Sequence, residues 1–526
     1  MNYSESPYFH VGRASDLKGS DRVLYRALEI LPGTLAWVTL LGTAILSAFI
    51  PTYVAIFIIA FDLYWLLKTI YLSLHHRHNW QRMKHMLTVD WKAMLTTLKY
   101  EHIYHMVILP YYTESEEVVL HSLQALVETD YDKERMIVVL AAEERAGDEM
   151  YQLGLSMKKR FEHDLPHFIV TRHPMNIPGE MPGKGSNISY AAETARTEIL
   201  DTLYIPYKDV IVSAFDIDTV AYPQYFLCLT WNFLTAEHPF NSSFQPVPLY
   251  NNNVWNAPAV SRVAAMSGTF WQMIQQERPE QTVTFSSHSV SFDTLYKVNY
   301  WQRNMVSEDS RIFWNLFMAH DGDYHVVALS YPVSMDANLA PSLWQTSKNI
   351  YKQHRRWMWG VENIPYMIFG FIKNPRIPLA KKLNLTRVQL EGFWSLSTNP
   401  LMILLLGWLP IILGGKGFNN SVLSYNLTFI TKALMTLAMT GLIFSALVAI
   451  SLLPPAPEEF HKKWWKWIPF WLQWILVPFT LIIFGAIPGL EAQTRLMLGR
   501  YMGFWVTPKH RGAKSASSSK KAAKAV

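Results

Sequence analysis

The stretch "DVIVSAFDIDTV", residues 209–220, decides the fold of the central part of the chain. A short apolar run ends in Asp216 and Asp218, which is typical of a buried strand followed by a polar loop. Similar runs alternate with helical patterns on either side: "YHMVILP", "RMIVVLAA" and "HFIVT" are predicted strands, and "SEEVVLHSLQALVE" and "SYAAETARTEIL" are predicted helices. This alternation predicts an α/β domain with a largely parallel sheet, over residues 90–360.

The composition indicates a membrane protein with a globular part. Of its 526 residues, 50% are hydrophobic and 17% are charged, and the net charge is +6. The charged share is below the roughly 25% of typical soluble domains. The one cysteine, Cys228, excludes an internal disulfide and indicates a reducing compartment. Residues 1–30 lack the apolar run of a secretory signal, so we expect a cytosolic N-terminal segment there.

Hydrophobic runs at residues 31–50 and 51–74 predict a transmembrane helical hairpin over residues 31–74. Each run has about the twenty residues that cross a hydrocarbon core. The basic run that follows, "HHRHNWQRMKH" at residues 75–85, predicts that this side is cytoplasmic. A metal site formed by its histidines is the alternative interpretation.

The C-terminal third predicts an interfacial segment at 361–393, a transmembrane region at 394–490 and a basic disordered tail at 513–526. The tail is expected to touch anionic lipid, and nucleic-acid binding is not expected. Three apolar runs after Trp394 would place the C-terminus opposite the catalytic domain. We instead expect an even number of crossings, with a hidden fourth element or a re-entrant segment around Pro478.

Acidic residues follow three predicted strands, where parallel α/β sheets bind ligands. Asp216 and Asp218, one residue apart, suit a divalent cation that is shared with substrate phosphates; the alternative is an ordinary helix-capping loop. The other strand ends carry the residues Tyr112, Thr113, Glu114, Glu143 and Glu144.

Two further stretches carry candidate chemistry. "GEMPGKGSN", residues 179–187, offers Lys184 to neutralise a diphosphate, or is a flexible surface turn; the chain has no P-loop or dinucleotide-binding glycine pattern. "MVSEDSRIFWN", residues 305–315, offers Glu308 or Asp309 as a general base. The same residues also suit a helix N-cap at Ser307 or Asp309.

The order of these motifs is specific: Glu143/Glu144, Asp216-x-Asp218, Ser307-Glu308-Asp309 and Gln353-x-x-Arg356-Trp357. Over about residues 104–359 the chain resembles the membrane-embedded, inverting family-2 glycosyltransferases, the group of cellulose, chitin and hyaluronan synthases. The resemblance implies a GT-A-type, Rossmann-like cytosolic domain inserted between N- and C-terminal transmembrane helices. It also implies a UDP-sugar donor.

The resemblance implies a role for each motif. Asp216 and Asp218 would hold Mg²⁺ or Mn²⁺, and Asp309 would be the catalytic base. Gln353 and Trp357 would bind the acceptor. The predicted UDP-binding residues are Tyr112, Glu114, Glu143, Lys184, Asp216, Arg356, Thr507 and Lys509. Either Glu143 or Glu144 would be the acid at the uridine site.

A last motif, "GFWVTPKH", is similar to the gating loop of cellulose synthases and predicts such a segment over residues 500–512. It favours the synthase branch over lipid-phosphate glycosyltransferases. The chain departs from the family at Thr113, where Asn is usual, and at Ser307, where Thr is more common. "FSSHSVSF", residues 285–292, lies where the family has an acceptor-contacting loop, but its composition is unusual.

These features predict a multi-pass protein of the inner or plasma membrane with a cytoplasmic catalytic domain. It would add sugar to a growing β-linked polysaccharide, a reaction that could be coupled to translocation of the polymer. Its partners would be a glycan or glycolipid acceptor and membrane lipid. Transfer of one sugar to a lipid is the second hypothesis. An inactive, transferase-like membrane scaffold is the third.

Overall fold

A computed structural model describes residues 3–509, without the side chains of 438–444 and 461. Its centre is a sheet whose described strands are β1 (Tyr104–Tyr111), β2 (Met136–Glu143), β3 (His167–His173), β4 (Val210–Ala214), β5 (Val220–Ala221), β6 (Ser242–Leu249), β7 (Ser289–Ser291) and β8 (His325–Ser334). All four strands predicted from the sequence are present, as β1 to β4. The predicted tail, residues 513–526, lies outside the described residues.

The strand order is β3-β2-β1-β4-β7-β6-β8-β5. The first four strands are parallel, as predicted, and β2 is buried along its whole length because both faces of the sheet are covered. Beyond β4 the sheet is mixed: β7 is antiparallel to both β4 and β6, while β6 and β8 are parallel. The prediction of a largely parallel sheet therefore holds for one half. The strand β7 has only three residues, Ser289–Ser291, within residues 285–292, and is too short to give a strand pattern.

The described α-helices surround this sheet and extend from it. They are α1 (Gly19–Phe49), α2 (Pro51–Met86), α3 (Trp91–Leu95), α4 (Glu116–Val127), α5 (Asp148–Phe161), α6 (Lys184–Ala195), α7 (Tyr225–Thr235), α8 (Ala259–Gln276), α9 (Phe292–Lys297), α10 (Glu308–Ala319), α11 (Leu343–Met358), α12 (Asn363–Lys373), α13 (Leu379–Leu404), α14 (Leu409–Leu413), α15 (Gly415–Asn419), α16 (Val422–Ser451), α17 (Glu458–Lys462), α18 (Ile468–Leu472), α19 (Val477–Thr480) and α20 (Ile487–Met497).

The predicted hairpin is formed by α1 and α2, which are joined only by Ile50. Helix α1 begins at Gly19, within the predicted N-terminal segment, because its first turns pack against the globular part. There Glu29 is buried and accepts hydrogen bonds from the backbone amide of Ala14 (3.0 Å) and from the Tyr501 hydroxyl (2.8 Å). The start of α1 is therefore tied to the residues that follow α20.

The segment predicted to be interfacial, 361–393, begins instead with a core helix. In α12, Tyr366 and Phe369 are each 1% exposed, and the Tyr366 hydroxyl donates to the carbonyl of Phe9. The Arg311 guanidinium lies 4.0 Å from the centre of the Tyr366 ring. The aromatic residues that suggested a membrane surface are therefore used to pack the N-terminal residues against α10.

Three helical stretches among the described residues are long and apolar enough to cross a membrane: α1, α2 and Trp464–Met497. The pair α13 and α14, bent by 49°, would add a fourth if it forms one span. Helix α16 is 30 residues long and its sequence carries one charged residue, Lys432. Near its end, Ser451 accepts a hydrogen bond from the Trp80 indole, so this end of α16 lies beside the part of α2 that follows its apolar run.

The stretch Trp464–Met497 contacts the globular side along its length. Its first part packs Phe470 against Trp255, its middle offers the carbonyl of Phe484 to His354 at 2.7 Å, and at its end the carbonyl of Leu496 accepts from Arg26 at 2.9 Å. By contrast, the bend after α14 lies against Pro51, at the far end of the hairpin. These contacts favour a stretch that returns to the side on which it began.

We therefore predict that residues 417 and 503 lie on opposite sides of the membrane. Gly417 and Gly503 are both exposed, and a Cβ at either position meets no neighbour within 4 Å. The native Cys228 is buried. In sealed inverted vesicles, a membrane-impermeant maleimide should label Gly503→Cys and not Gly417→Cys, with the reverse in intact cells. Labelling of both variants from one side would contradict a crossing by α13 and α14 that α16 reverses.

Candidate active site

The predicted site residues meet at the carboxyl ends of β1, β2 and β4. The register pairs Tyr111 of β1 with Ala142 of β2, and Ile108 of β1 with Ala214 of β4. The loops that follow these strands therefore begin at one edge of the sheet. This is where open α/β sheets place their ligands.

The ammonium group of Lys184 joins the predicted metal motif to the predicted base. Its Nζ atom donates to Asp216 Oδ1 at 2.6 Å and lies 3.0 Å from both carboxylate oxygens of Asp309. Lys184 is 6% exposed, at the first position of α6. Burial alone would lower its pKa, but attraction to Asp216, Asp309 and Glu308 raises the pKa above its usual value. The lysine is thus held as a buried cation.

Asp216 is bonded through both carboxylate oxygens, since Ser286 Oγ donates to Oδ2 at 2.8 Å. Burial would raise the pKa of Asp216, but the charge of Lys184 outweighs it and holds the pKa well below the usual value. Asp218 is fully buried, and its Oδ2 accepts from Lys509 Nζ at 2.6 Å and from the amide of Asp336 at 2.9 Å. Each acid of the motif is therefore paired with a different lysine.

Asp309 lies in the first turn of α10, but its side chain does not act as a helix cap. The carboxylate faces Lys184, and the Ser307 side chain makes no capping bond either. The backbone carbonyl of Asp309 accepts from Thr284 Oγ1 at 2.6 Å. The helix start therefore positions the predicted base and leaves its carboxylate directed into the site.

The stretch 284–289 connects the two acidic motifs. This connection was not predicted from the sequence. Besides Thr284 and Ser286, it brings His288 Nδ1 to 3.8 Å from Asp309 Oδ1. The Trp301 indole donates to His288 Nε2 at 3.1 Å, so Nδ1 carries the ring hydrogen. Burial lowers the pKa of His288, which keeps the ring neutral. No spacing rule identifies these residues in advance, because their partners lie in other segments.

The end of β2 distinguishes the two glutamates of the predicted uridine site. Glu143 forms a two-pronged ion pair with Arg145, whose guanidinium lies 4.4 Å from the centre of the Tyr112 ring. Glu144 instead accepts from the backbone amide of Met175. Of the two, Glu143 is therefore the one brought beside Tyr112, and Arg145 joins the candidate residues.

Glu114 shapes the loop after β1. Its Oε2 accepts from the amides of Tyr112 (2.6 Å) and Thr113 (3.1 Å), and it is 8% exposed. Burial raises the pKa of Glu114. This carboxyl group fixes the backbone that presents the Tyr112 ring. Glu114 can therefore shape a nucleotide site without touching the nucleotide itself.

Helix α11 presents the Gln353-x-x-Arg356-Trp357 motif at the same edge. Arg356 lies 4.8 Å from the centre of the Phe504 ring. The Trp357 ring is 37% exposed and stacks on His354 at 4.9 Å. Gln353 is partly buried one turn before Trp357. The motif therefore offers one guanidinium toward the C-terminal segment and one half-open indole face.

Residues 500–509, which we call the C-terminal strap, cross the site. Phe504 packs so closely on Gly183 that a Cβ there would lie 2.7 Å from the ring, so only glycine fits. Beyond it, Thr507 is 5% exposed and Lys509 reaches Asp218. Residues 510–512 of the predicted gating segment lie outside the described residues.

Within residues 3–509, no group of three or more His, Cys, Asp or Glu side chains is arranged to hold a metal ion. Asp216 and Asp218 nevertheless supply two carboxylates, and Asp218 Oδ1 is buried without a hydrogen-bond partner in the described chain. Mg²⁺ bound together with substrate phosphates needs one or two protein carboxylates. The donor set therefore fits a cation shared with a diphosphate, and does not form a complete protein cage.

No family model matches the chain, and no curated protein matches its sequence. Among solved structures, it is similar to the mannosyltransferase PcManGT from Pyrobaculum calidifontis in complex with GDP-Man and Mn²⁺, at 12% identity and a TM-score of 0.39, covering 80% of this chain and 99% of that one. It is also similar to S. aureus TarS 1-349 in complex with UDP-GlcNAc, at 12% identity and a TM-score of 0.36, covering 76% and 93%. Scores this low leave the function to be argued from the site itself.

The Lys184 bridge leads to a stability prediction. Lys184→Met should lower the free energy of unfolding by roughly 2–4 kcal/mol, between the costs for exposed and buried ion pairs, because it leaves the partly buried Asp216 and Asp309 carboxylates without their cation. Lys297→Met, which breaks an exposed pair with Asp293, should cost less than about 1 kcal/mol. Thermal unfolding in detergent and EDTA measures both. Equal stability of the two variants would contradict the bridge.

Proposed function

We propose that this chain is a membrane-bound, inverting glycosyltransferase that moves a sugar from UDP to a growing β-linked polysaccharide. The observation that carries the proposal is the Lys184 ammonium between Asp216 and Asp309, with Lys509 on Asp218 beside it. Two cations and a candidate base converge at the edge where an α/β sheet binds ligands. The motif order shared with family-2 synthases supports the same assignment.

The cationic side chains suit a leaving diphosphate. Lys184 and Lys509 both lie at the Asp216-x-Asp218 motif, and Arg356 faces the strap through Phe504. A guanidinium binds phosphate oxygens in a planar, two-pronged manner. We assign these three side chains to neutralising the charge on UDP as it leaves. At Asp216 and Asp218, bound Mg²⁺ or Mn²⁺ would add positive charge for the same diphosphate.

The nucleoside would lie on the other side of this cluster. Tyr112 offers a ring face, with Arg145 already stacked on it, and Glu143 offers carboxylate oxygens to a base. Aromatic rings and paired polar groups are common partners of single nucleotides. We assign uracil to this end of the site.

Asp309 would take the proton in the transfer step. The acceptor hydroxyl forms its bond to the anomeric carbon from the face opposite the diphosphate, the bond between that carbon and the diphosphate oxygen breaks, and the hydroxyl proton passes to the Asp309 carboxylate. This single displacement inverts the anomeric configuration. The hydrogen bonds from Lys184 hold the Asp309 carboxylate in place for this role.

The acceptor would lie along α11. Trp357 offers a half-exposed indole face, on which sugar rings stack, and Gln353 offers amide groups for hydroxyls. The strap and the adjacent membrane helices favour extension of a polymer that leaves through the membrane. Transfer of a single sugar to a lipid remains the second hypothesis, and product length on a gel distinguishes the two.

Substitution of the base tests this proposal. Asp309→Asn keeps the shape but cannot accept the proton, so turnover of UDP-sugars should fall about 10²–10⁴-fold. The affinity for UDP should change much less than turnover, because the amide oxygen of the substituted side chain can still accept a hydrogen bond from Lys184. Purified protein in detergent with Mn²⁺ and a panel of UDP-sugars measures both quantities.

Glu237→Gln serves as the control, since this carboxylate is 91% exposed. It should behave like the wild type. Near-normal turnover in Asp309→Asn, together with an inactive Glu308→Gln, would move the base to Glu308. Turnover in both variants would contradict the mechanism, and a wild-type protein that releases no UDP from any donor would favour the scaffold.

A further inference from the structure

Glu308, the first residue of α10, is a buried carboxyl group that the proposed mechanism does not use. It is 1% exposed, and neither of its carboxyl oxygens has a hydrogen-bond partner in any other residue of the described part of the chain. Buried polar groups are normally bonded, because an unsatisfied one costs about 1–3 kcal/mol, and more when charged. Such a group needs an explanation, and a ligand that bonds to it supplies one.

A second buried carboxyl nearby shows the ordinary arrangement. Glu362 is 6% exposed, and its oxygens accept from the amides of Val306 and Ser307 and from the Trp359 indole at 2.8 Å. These bonds hold the residues directly before α10. The structure can therefore satisfy a buried carboxylate in this region, and does not do so at Glu308.

The position of Glu308 places it inside the site. Its Cβ packs on the start of α6, where a Cβ added to Gly185 would lie 3.0 Å from it. Its carboxyl group interacts electrostatically with Asp309, Lys184 and Arg356. The carboxyl group therefore lies close enough to the base and to two cations of the site to feel their charges.

Two other polar atoms in this region are also unsatisfied. Arg356 Nε and Thr507 Oγ1 are buried and have no hydrogen-bond partner among residues 3–509. They come from α11 and from the strap, which meet where Arg356 lies on the Phe504 ring. Unsatisfied atoms on segments that meet at the site indicate a polar ligand with several hydrogen-bonding groups, and a sugar is such a ligand.

We propose that Glu308 binds a hydroxyl group of the sugar that is being transferred and so helps to select the donor. This inference rests on the proposed function. Lys184 and Arg356 are assigned to the diphosphate, and Asp309 to the anomeric carbon. The sugar contains the anomeric carbon and is attached to the diphosphate. A carboxyl group that interacts with Lys184, Arg356 and Asp309 therefore lies beside the sugar.

The protonation state of Glu308 suits this role. Burial and the neighbouring Asp309 charge raise its pKa to about 8. At neutral pH it therefore carries a proton and can both donate to and accept from a hydroxyl group. A site that hydrogen-bonds a substrate hydroxyl discriminates strongly against analogues that lack it.

The test compares binding of UDP with binding of an intact UDP-sugar, by calorimetry with Mn²⁺. The probes are UDP-glucose and UDP-N-acetylglucosamine, and the one that wild-type protein binds more tightly is then used with its monodeoxy forms. Glu308→Ala should weaken binding of the UDP-sugar about 10- to 100-fold and that of UDP less than about twofold, because only the sugar contact is lost. Glu308→Gln should retain part of the affinity.

The monodeoxy donors locate the contact. One monodeoxy donor should bind wild-type protein as weakly as the intact donor binds the Glu308→Ala variant. That variant should bind the intact donor and this monodeoxy donor with equal affinity. Glu362→Gln, the control, should lower the unfolding temperature and leave the ratio of the two affinities unchanged.

Three results would overturn the inference. Equal weakening of UDP and of the UDP-sugar would make Glu308 a structural residue, and unchanged affinities in both variants would show no contact at all. If Glu308→Ala does not fold, the Glu308→Gln variant is used alone. If it binds the intact donor and every deoxy donor with the affinity of the wild type, Glu308 does not contact the sugar. A wild-type protein that binds no uridine nucleotide would instead contradict the proposed function itself.

Discussion

The arrangement of the site depends on the ammonium group of Lys184, held between Asp216 and Asp309. The lysine is buried and the two carboxylates are partly buried, so the charge of each group is stabilised by the others. Removal of one partner from such a buried cluster costs several kcal/mol. The bridge joins the loop after β4, the start of α6 and the start of α10. It thereby fixes the distance between the place where a diphosphate would bind and the group that would take the proton.

The position of the strap depends on a similar pairing of a buried carboxylate with a lysine. Lys509 neutralises the fully buried Asp218, from a position 291 residues further along the chain. The strap is itself fastened at its start, where Tyr501 donates to Glu29 of α1. Helix α11 is fastened to α20 through Arg355 and Glu491. The strap, α1 and α20 are therefore connected to the edge of the sheet by ion pairs and hydrogen bonds.

Much of this arrangement is readable from local pattern. The apolar runs that became β1, β2, β3 and β4 predict the parallel half of the sheet, and acids directly after such runs must meet at one edge. The Asp216-x-Asp218 motif, Lys184 and Asp309 are brought together as this reasoning requires. The roles assigned to them remain predictions, because proximity alone does not show what they bind.

What could not be predicted depends on contacts between distant segments. Arg145, Thr284 and His288 reach the site through partners that no spacing reveals, and β7, with three residues, is too short to give a strand pattern. The aromatic residues of α12 looked typical of a membrane surface, although they pack in the core. For Trp464–Met497, apolar length alone cannot distinguish a crossing from a stretch that returns to its own side.

A structure of the protein with UDP and Mn²⁺, determined in lipid nanodiscs, tests the central claim most directly. The account predicts the diphosphate at the Asp216-x-Asp218 motif within hydrogen-bonding reach of Lys184 and Arg356. It also predicts Mn²⁺ on Asp218 in place of the direct contact with Lys509, now 2.6 Å. Nucleotide bound elsewhere, with the Lys184–Asp216 and Lys509–Asp218 pairs both intact, would contradict it.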